Sequence, residues 1–297
     1  MMDWLMSFPH MDDDQLRALK KAIDGAFRTF TSNYGAAFES FFQPLQYFLV
    51  HAERLMLAAP WPLVVGWVAL IAWLGSRSVK VVLGCVATLM VIGYLDMWTD
   101  TMRTLSMIFV CTLLAILIGL PTGVLMARHD RLQRMISPIL DVMQTMPSFV
   151  YLIPVVMLLG IGKVAGLIAV VVYALPPMIR LTNLGIRQVD SEMLEAADAF
   201  GSSAWQKLKN VQLPLALPSI MAGINQTIMM ALAMVVIASM IGVQGLGQPV
   251  LKAIANQYFT LGIFNGLAIV GIAVIFDRVS QAYGKRLQKH LEIVHVH

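Results

Sequence analysis

Asp190-Ser191-Glu192-Met193-Leu194-Glu195-Ala196-Ala197-Asp198-Ala199-Phe200-Gly201, followed nine residues later by Val211-Gln212-Leu213-Pro214, is the polar interruption between two long uncharged stretches. Asp190 or Ser191 suits a helix N-cap, and Glu192 and Glu195 favour the first turn through the helix dipole. Ala196, Ala197 and Ala199 keep the short helix thin enough to seat in a groove. Gly201 permits a sharp turn at its end. Pro214 breaks a helix interior but suits a helix start, so it resets the chain before the next element. The segment therefore reads as a compact docking helix set between apolar elements.

The composition of the whole chain agrees with that setting. Of 297 residues, 58% are hydrophobic and 13% charged, against roughly 45–50% and about 25% in soluble domains. Too few charges remain to cover the surface of a soluble enzyme, and the same numbers exclude disorder. Cys85 and Cys111 both lie in apolar runs, so neither a disulfide framework nor a thiolate zinc site is expected. The chain is an all-α membrane protein on this reading.

Runs free of Asp, Glu, Lys and Arg cover 55–76, 81–95, 104–127, 142–162, 164–179, 210–251 and 253–276. Each such charge at mid-bilayer costs roughly 2.5–3.5 kcal/mol, and about 20 apolar residues cross about 30 Å of hydrocarbon. The runs predict seven transmembrane helices, the sixth near 217–241. Alternate sides then carry 13 and 3 basic residues, the three being Arg103, Lys163 and Lys252. The positive-inside rule places the C-terminus in the cytoplasm and the N-terminus outside, with five more basic residues in the N-terminal tail as an exception.

The first 54 residues lack the basic and apolar regions of a signal peptide, and Asp12-Asp13-Asp14 stands where one would lie. Phe27, Phe30, Tyr34, Phe38, Phe41, Leu45 and Phe48 instead form one face of an amphipathic helix, interrupted at Gly35 and ended near Pro44. It serves either as an interfacial helix that braces the bundle or receives a partner, or as a plain membrane-surface anchor. The expected division is an N-terminal periplasmic or interfacial region (1–54), two peripheral transmembrane helices (55–100), a core (101–277) containing the cytoplasmic loop 180–214, and a cytoplasmic tail (278–297).

Glu195-Ala196-Ala197, Gly201, Val211 and Leu213-Pro214, at their spacing, resemble the EAA loop of ABC importer permeases, which usually has Ile where this chain has Val211. The runs Gln144–Pro154, Ala174–Thr182, Met221–Thr227 and Gly245–Gln248 are similar to the glycine betaine/proline group of those permeases. The resemblance implies a type I importer bundle and uptake of a quaternary amine or related osmolyte such as glycine betaine, choline, carnitine, proline betaine or trimethylamine N-oxide. It implies that Glu195, Ala196, Ala197, Gly201, Leu213 and Pro214 couple to a separate ATPase. The implied assembly is a homodimer of the permease, two cytoplasmic ATPase copies and a periplasmic binding protein, in the bacterial inner membrane and without nucleic acid. ATP and Mg belong to the ATPase and no cofactor to this chain, in keeping with the lack of a G-x-x-x-x-G-K-[ST] phosphate loop: Gly162-Lys163 is followed by Val164. No binding domain is expected to be fused, since only about twenty residues follow 277.

Candidates for the solute path are Asp141, Met146, Pro147, Phe149, Tyr151, Asn225 and Gln226. Asp141 is an acid at the edge of the fourth span, either functional or a dipole-favoured group in a first helical turn after Pro138. Asn225, Gln226 and Thr227 line the path or make interhelical hydrogen bonds. Phe149 and Tyr151 offer π-faces to a trimethylammonium group or serve as belt residues. Pro147, Pro154, Pro176 and Pro177 point to broken or kinked helices. The 21 methionines read as packing filler, and His295 and His297 lack a third ligand, so no metal is expected. A gradient-driven secondary transporter would need buried charged pairs within its spans, and an intramembrane enzyme would need paired catalytic groups at membrane depth.

Overall fold

The structure, a computed structural model, describes the backbone of residues 11–294 and side chains as far as residue 284. His295 and His297 lie outside the described residues. Every regular element among those described is helical. The bundle is organised around α7 (Lys163–Arg187), which packs between α4 (Trp98–Arg128) and α10 (Leu213–Ala238). Glycines permit both contacts. A Cβ on Gly123 would stand 2.6 Å from Thr182 Cβ and 2.8 Å from the Ile179 carbonyl oxygen, and one on Gly119 would stand 2.7 Å from Met178 Cγ. Gly119 and Gly123 form a G-x-x-x-G pair, the spacing that lets membrane helices approach through their backbones. On the opposite side of α7, Gly185 meets Ser219 in the same way.

The remaining elements wrap this triplet. α12 (Phe259–Val294) packs on α10, and the hairpin of α2 (Trp61–Ser76) and α3 (Val79–Tyr94) packs on α12. α11 (Gly247–Asn256) joins α10 to α12. Among the described residues four helical stretches are long and apolar enough to cross a membrane: α4, α7, 204–241 and 259–284. Ion pairs collect at the two ends of α7. Lys163 Nζ reaches Glu53 Oε2 at 2.6 Å at one end, and Arg187 Nη2 reaches Asp130 Oδ1 at 2.6 Å at the other.

Several sequence expectations need correction. The run 142–162 is not one span. α5 (Asp130–Thr145) and the segment Ser148–Leu159, which includes α6 (Leu152–Leu159), meet at 112°. Pro147 forces Met146 into an extended conformation and supplies no N–H, so the helix stops there. Asp141 consequently sits near the C-terminal end of α5, with Pro138 inside that helix, and the first-turn reading fails. The seventh run is divided at Gln257, whose φ is +58°. The 55–76 run loses its first residues to α1 (Asp13–Ala58), which meets α2 at 106°.

α1 itself runs unbroken through Gly35 and Pro44. Ser40, whose carbonyl Pro44 leaves without a helical donor, is exposed and open to water. Gly35 brings α1 close to the Leu158 carbonyl of α6. The packed face is Thr31, Gly35, Phe38, Phe42, Leu45 and Leu49, while Phe30, Tyr34, Phe41 and Phe48 stay exposed. The aromatic series is therefore divided between two faces.

The close contact of α4 with α7 makes Gly123→Ala destabilising. The new methyl meets a backbone carbonyl, and overpacking of this kind costs roughly 1–3 kcal/mol. Gly84→Ala in α3 meets nothing within 4 Å, so removing a helical glycine there is expected to be neutral or to stabilise by up to about 1 kcal/mol. Thermal unfolding of the two purified variants, followed by helical circular dichroism, checks the contrast.

Candidate functional site

The loop that follows α7 is built to hold its shape. Asp190 caps α8 (Ser191–Ala199), its Oδ1 accepting the Glu192 N–H at 3.0 Å. At the other end Gly201 N–H donates to the Asp198 carbonyl at 2.9 Å and Ser202 N–H to the Ala197 carbonyl at 3.0 Å. These are the two bonds of a Schellman ending, with Gly201 at φ +75° where only glycine is unstrained. Ser203 and Gln206 then form a reciprocal capping box on α9 (Ala204–Lys207). Lys207 Nζ reaches back to both oxygens of Asp198, at 2.6 and 2.7 Å. Ala197 is buried; Glu195 and Ala196 are exposed. Phe200, 91% exposed, and Trp205, 62% exposed, project beside them. A cavity of about 630 Å³ opens at the root of α8, walled by Gln188, Asp190, Glu192 and Ser219.

Leu213 and Pro214 are not in the loop. The helix that becomes α10 starts at Ala204, and a wide π turn over Leu208–Gln212 leads into Pro214, the Leu213 N–H reaching back to the Leu208 carbonyl. The wide turn spares Pro214 the narrower hydrogen bond it has no N–H to make. Leu208 is fully buried and fixes the start of this helix against α7 and α4 through Ile186, Ala216 and Val124.

Arg187, the last residue of α7, joins the end of that helix to its neighbours. Its Nε donates to Asn183 Oδ1 at 3.2 Å, and its Nη2 to the Met126 carbonyl at 3.0 Å and to Asp130 Oδ1 at 2.6 Å. One guanidinium thus ties the end of α7 to the α4–α5 corner. The hydrogen bond and charge of Arg187 hold the Asp130 carboxyl below its ordinary value of 3.8.

The path candidates do not converge. Asn225 donates to Asp277 Oδ1 at 3.0 Å and accepts from Ser280 Oγ at 2.6 Å, so it joins α10 to α12. Gln226 is exposed on another side of α10. Tyr151 is buried, its hydroxyl donating to the Met143 carbonyl and its ring edge-on to Tyr173 at 5.7 Å. Its π-face is engaged within the protein. Phe149 is 57% exposed and Pro147 exposed, both just past the break, where Met146 is half-buried. Asp141 pairs with Arg180 of α7. Arg180, Arg187, Asp130, Asp198 and Lys207 were not singled out from sequence. Among them only Asp198 and Lys207 stand within the loop motif, and the others are distant partners with no local signal.

Residues 115–289 match the family described as binding-protein-dependent transport system inner membrane component. The chain belongs to that family. This permease is 46% identical over 254 residues to the glycine betaine/proline betaine transport system permease protein ProW of Escherichia coli, covering 86% of this chain and 72% of that protein. It is 47% identical over 232 residues to the glycine betaine/carnitine transport permease protein GbuB of Listeria monocytogenes, covering 77% and 82%. A chain of the inward-facing MetNI methionine ABC transporter matches with a TM-score of 0.57 at 23% identity, covering 62% of this chain and 93% of that one; the likeness shows a shared fold. The permease is thus the inner-membrane part of an ABC import system, which works with a substrate-binding protein and an ATPase that hydrolyses the ATP.

The Arg187 clamp predicts a local effect. Arg187→Gln should speed amide exchange in the α4–α5 corner while leaving the α7 core protected. The Asp130 contribution is full above pH 3.8 and is lost only as pH falls through its lowered native value. The difference between wild type and variant should therefore stay flat from pH 8 to 5, which hydrogen-exchange mass spectrometry over that range checks.

Proposed function

We propose that this permease carries a small osmolyte of the glycine betaine type inward, as a homodimer with two ATPase copies, with the Arg187 end facing the cytoplasm. The observation that carries the reading is the similarity to osmolyte permeases, at 46–47% identity over more than three quarters of the chain. The basic-residue asymmetry supports the orientation, since the loop with α8 lies on the basic side.

On this reading α8 is the part that meets the ATPase. Its two ends are fixed by the Asp190 cap and the Gly201 turn, and the Lys207–Asp198 clasp sets the angle to α9. Phe200 and Trp205 are large apolar side chains left in water beside exposed Glu195. An aromatic anchor with a charged neighbour is the composition of a docking contact. A push on α8 reaches α7 through the short connection Gln188, Val189 and Asp190, and Arg187 passes it from α7 to the α4–α5 corner. Arg187 and its capped loop are the means by which the ATPase cycle would reach the solute path. α1 lies across α4, α6 and α7, pinned by Glu53 to Lys163 and Arg103, as a brace at the outer end.

The permease co-purified with its ATPase and reconstituted in liposomes should hydrolyse ATP faster when binding protein loaded with glycine betaine is added. Glu195→Lys, Gly201→Asp and Phe200→Asp should insert normally yet lower that stimulation by at least about tenfold, the effect of losing roughly 1.4 kcal/mol of docking. Affinity of the isolated binding protein for its ligand should not change. Full stimulation in all three variants would remove α8 from the docking role.

A further inference from the structure

The Arg180–Asp141 pair is misplaced for a structural ion pair in a membrane helix bundle. Arg180 lies seven residues before Arg187 and Asp141 eleven residues after Asp130. At 1.5 Å per residue Arg180 stands roughly 10 Å from the charged end of α7, a helix long and apolar enough to cross about 30 Å of hydrocarbon, and it holds Asp141 beside it. Yet the two side chains remain 36% and 64% exposed. A charged pair facing lipid at that depth is costly, so such residues face a water-filled cavity or another protein surface. Asp141 also stands close to the C-terminal end of α5, where the helix dipole disfavours a carboxylate. The guanidinium is not saturated: only Nη2 has a described partner, and Nε is buried with none.

Glycine betaine, proline betaine and carnitine, the solutes named for the relatives, share one chemistry. Each carries a quaternary ammonium and a carboxylate and no net charge. We propose that the Arg180–Asp141 pair is a path subsite for such charge-separated solutes, a step that rests on the osmolyte reading above. The solute's carboxylate replaces Asp141 on Arg180, where the fork accepts it through Nη2 and the unengaged Nε. Its ammonium replaces Arg180 beside Asp141. The exchange leaves each buried charge with a partner of opposite sign, and no net charge enters the membrane. When the solute leaves, the residues close on each other again. Because the Asp141–Arg180 contact also joins α5 to α7, occupancy opens it across the broken helix, on the helix whose end carries Arg187 and the loop.

The test uses the complete assembly of permease, ATPase and binding protein in liposomes. Asp141→Cys, and separately Gln144→Cys one turn further along α5, are treated with a methanethiosulfonate reagent bearing a trimethylammonium group. Native Cys85 and Cys111 are only 3% and 0% exposed and serve as the background. The proposal expects modification at both introduced positions, slowed about fivefold or more by glycine betaine at Gln144→Cys, where both charges of the subsite remain, and slowed far less at Asp141→Cys, where the ammonium has lost its partner. It also expects that Arg180→Gln in the Gln144→Cys background raises the betaine concentration needed for protection by about tenfold, with Arg180→Lys intermediate. Modification at Gln144→Cys that glycine betaine does not slow, or no modification at either position, would overturn the subsite if the unmodified assembly still takes up glycine betaine. A pair that only tethers α5 to α7 gives that result. Failure of the unmodified assembly to take up glycine betaine would overturn the osmolyte reading and the subsite with it.

Discussion

The close contact of α4, α7 and α10 is the interaction on which the rest depends. In lipid no hydrophobic force drives helices together, so they must gain by packing at short range and by hydrogen bonds. Gly119 and Gly123 on one side of α7 and Gly185 on the other admit neighbouring side chains where a Cβ would collide. With its backbone held from both sides, α7 keeps a continuous helix through Pro176 and Pro177. The carbonyls of Val172 and Tyr173 lose their donors there, and both residues are half-buried against neighbouring helices, a setting in which membrane helices tolerate proline.

That fixed helix carries two proposed sites on one rod. Arg180 stands at membrane depth beside the broken α5–α6 pair, and Arg187 stands two turns further along at the loop. The loop is stiffened by a cap, a Schellman turn, a capping box and the Lys207–Asp198 clasp, each short-range and each independent of the others. Their combined effect is to fix α8 against α9, and only the three residues Gln188, Val189 and Asp190 separate α8 from α7. Charge is kept to the ends of the bundle, to the Asp141–Arg180 site and to Asp277, which Asn225 of α10 holds.

Much of the architecture was legible because the membrane writes it as long uncharged runs. Every run corresponds to a helix or a broken helix pair. The capped helix at 191–199 was legible too, since Asp190, the alanines and Gly201 act locally. What escaped was set by packing. Pro44 was read as a stop and sits inside α1, because contacts with α4, α6 and α7 outweigh one lost hydrogen bond at an exposed carbonyl. Pro147 reads as a break or a kink, and what no local signal carries is the size of the turn there, 112°. Asn225 was read as a path residue or a hydrogen-bonding one, and its partners Asp277 and Ser280 lie 52 and 55 residues away, beyond any local signal. Asp141 reads as an acid at a span edge, and its partner Arg180 is 39 residues distant.

The central claim is that α7 and α8 move as one body, so that an event at the ATPase is felt at Arg180. Spin labels at Leu184 and Met193, both exposed, in one chain diluted with unlabelled copies, measure this directly by pulsed electron resonance. In the assembled transporter the intrachain distance should keep the same mean and width when ATP is added, even as transport proceeds. A shift or a broadened distribution on ATP binding would show α8 swinging on its own hinge and would contradict a rigid link between docking helix and path.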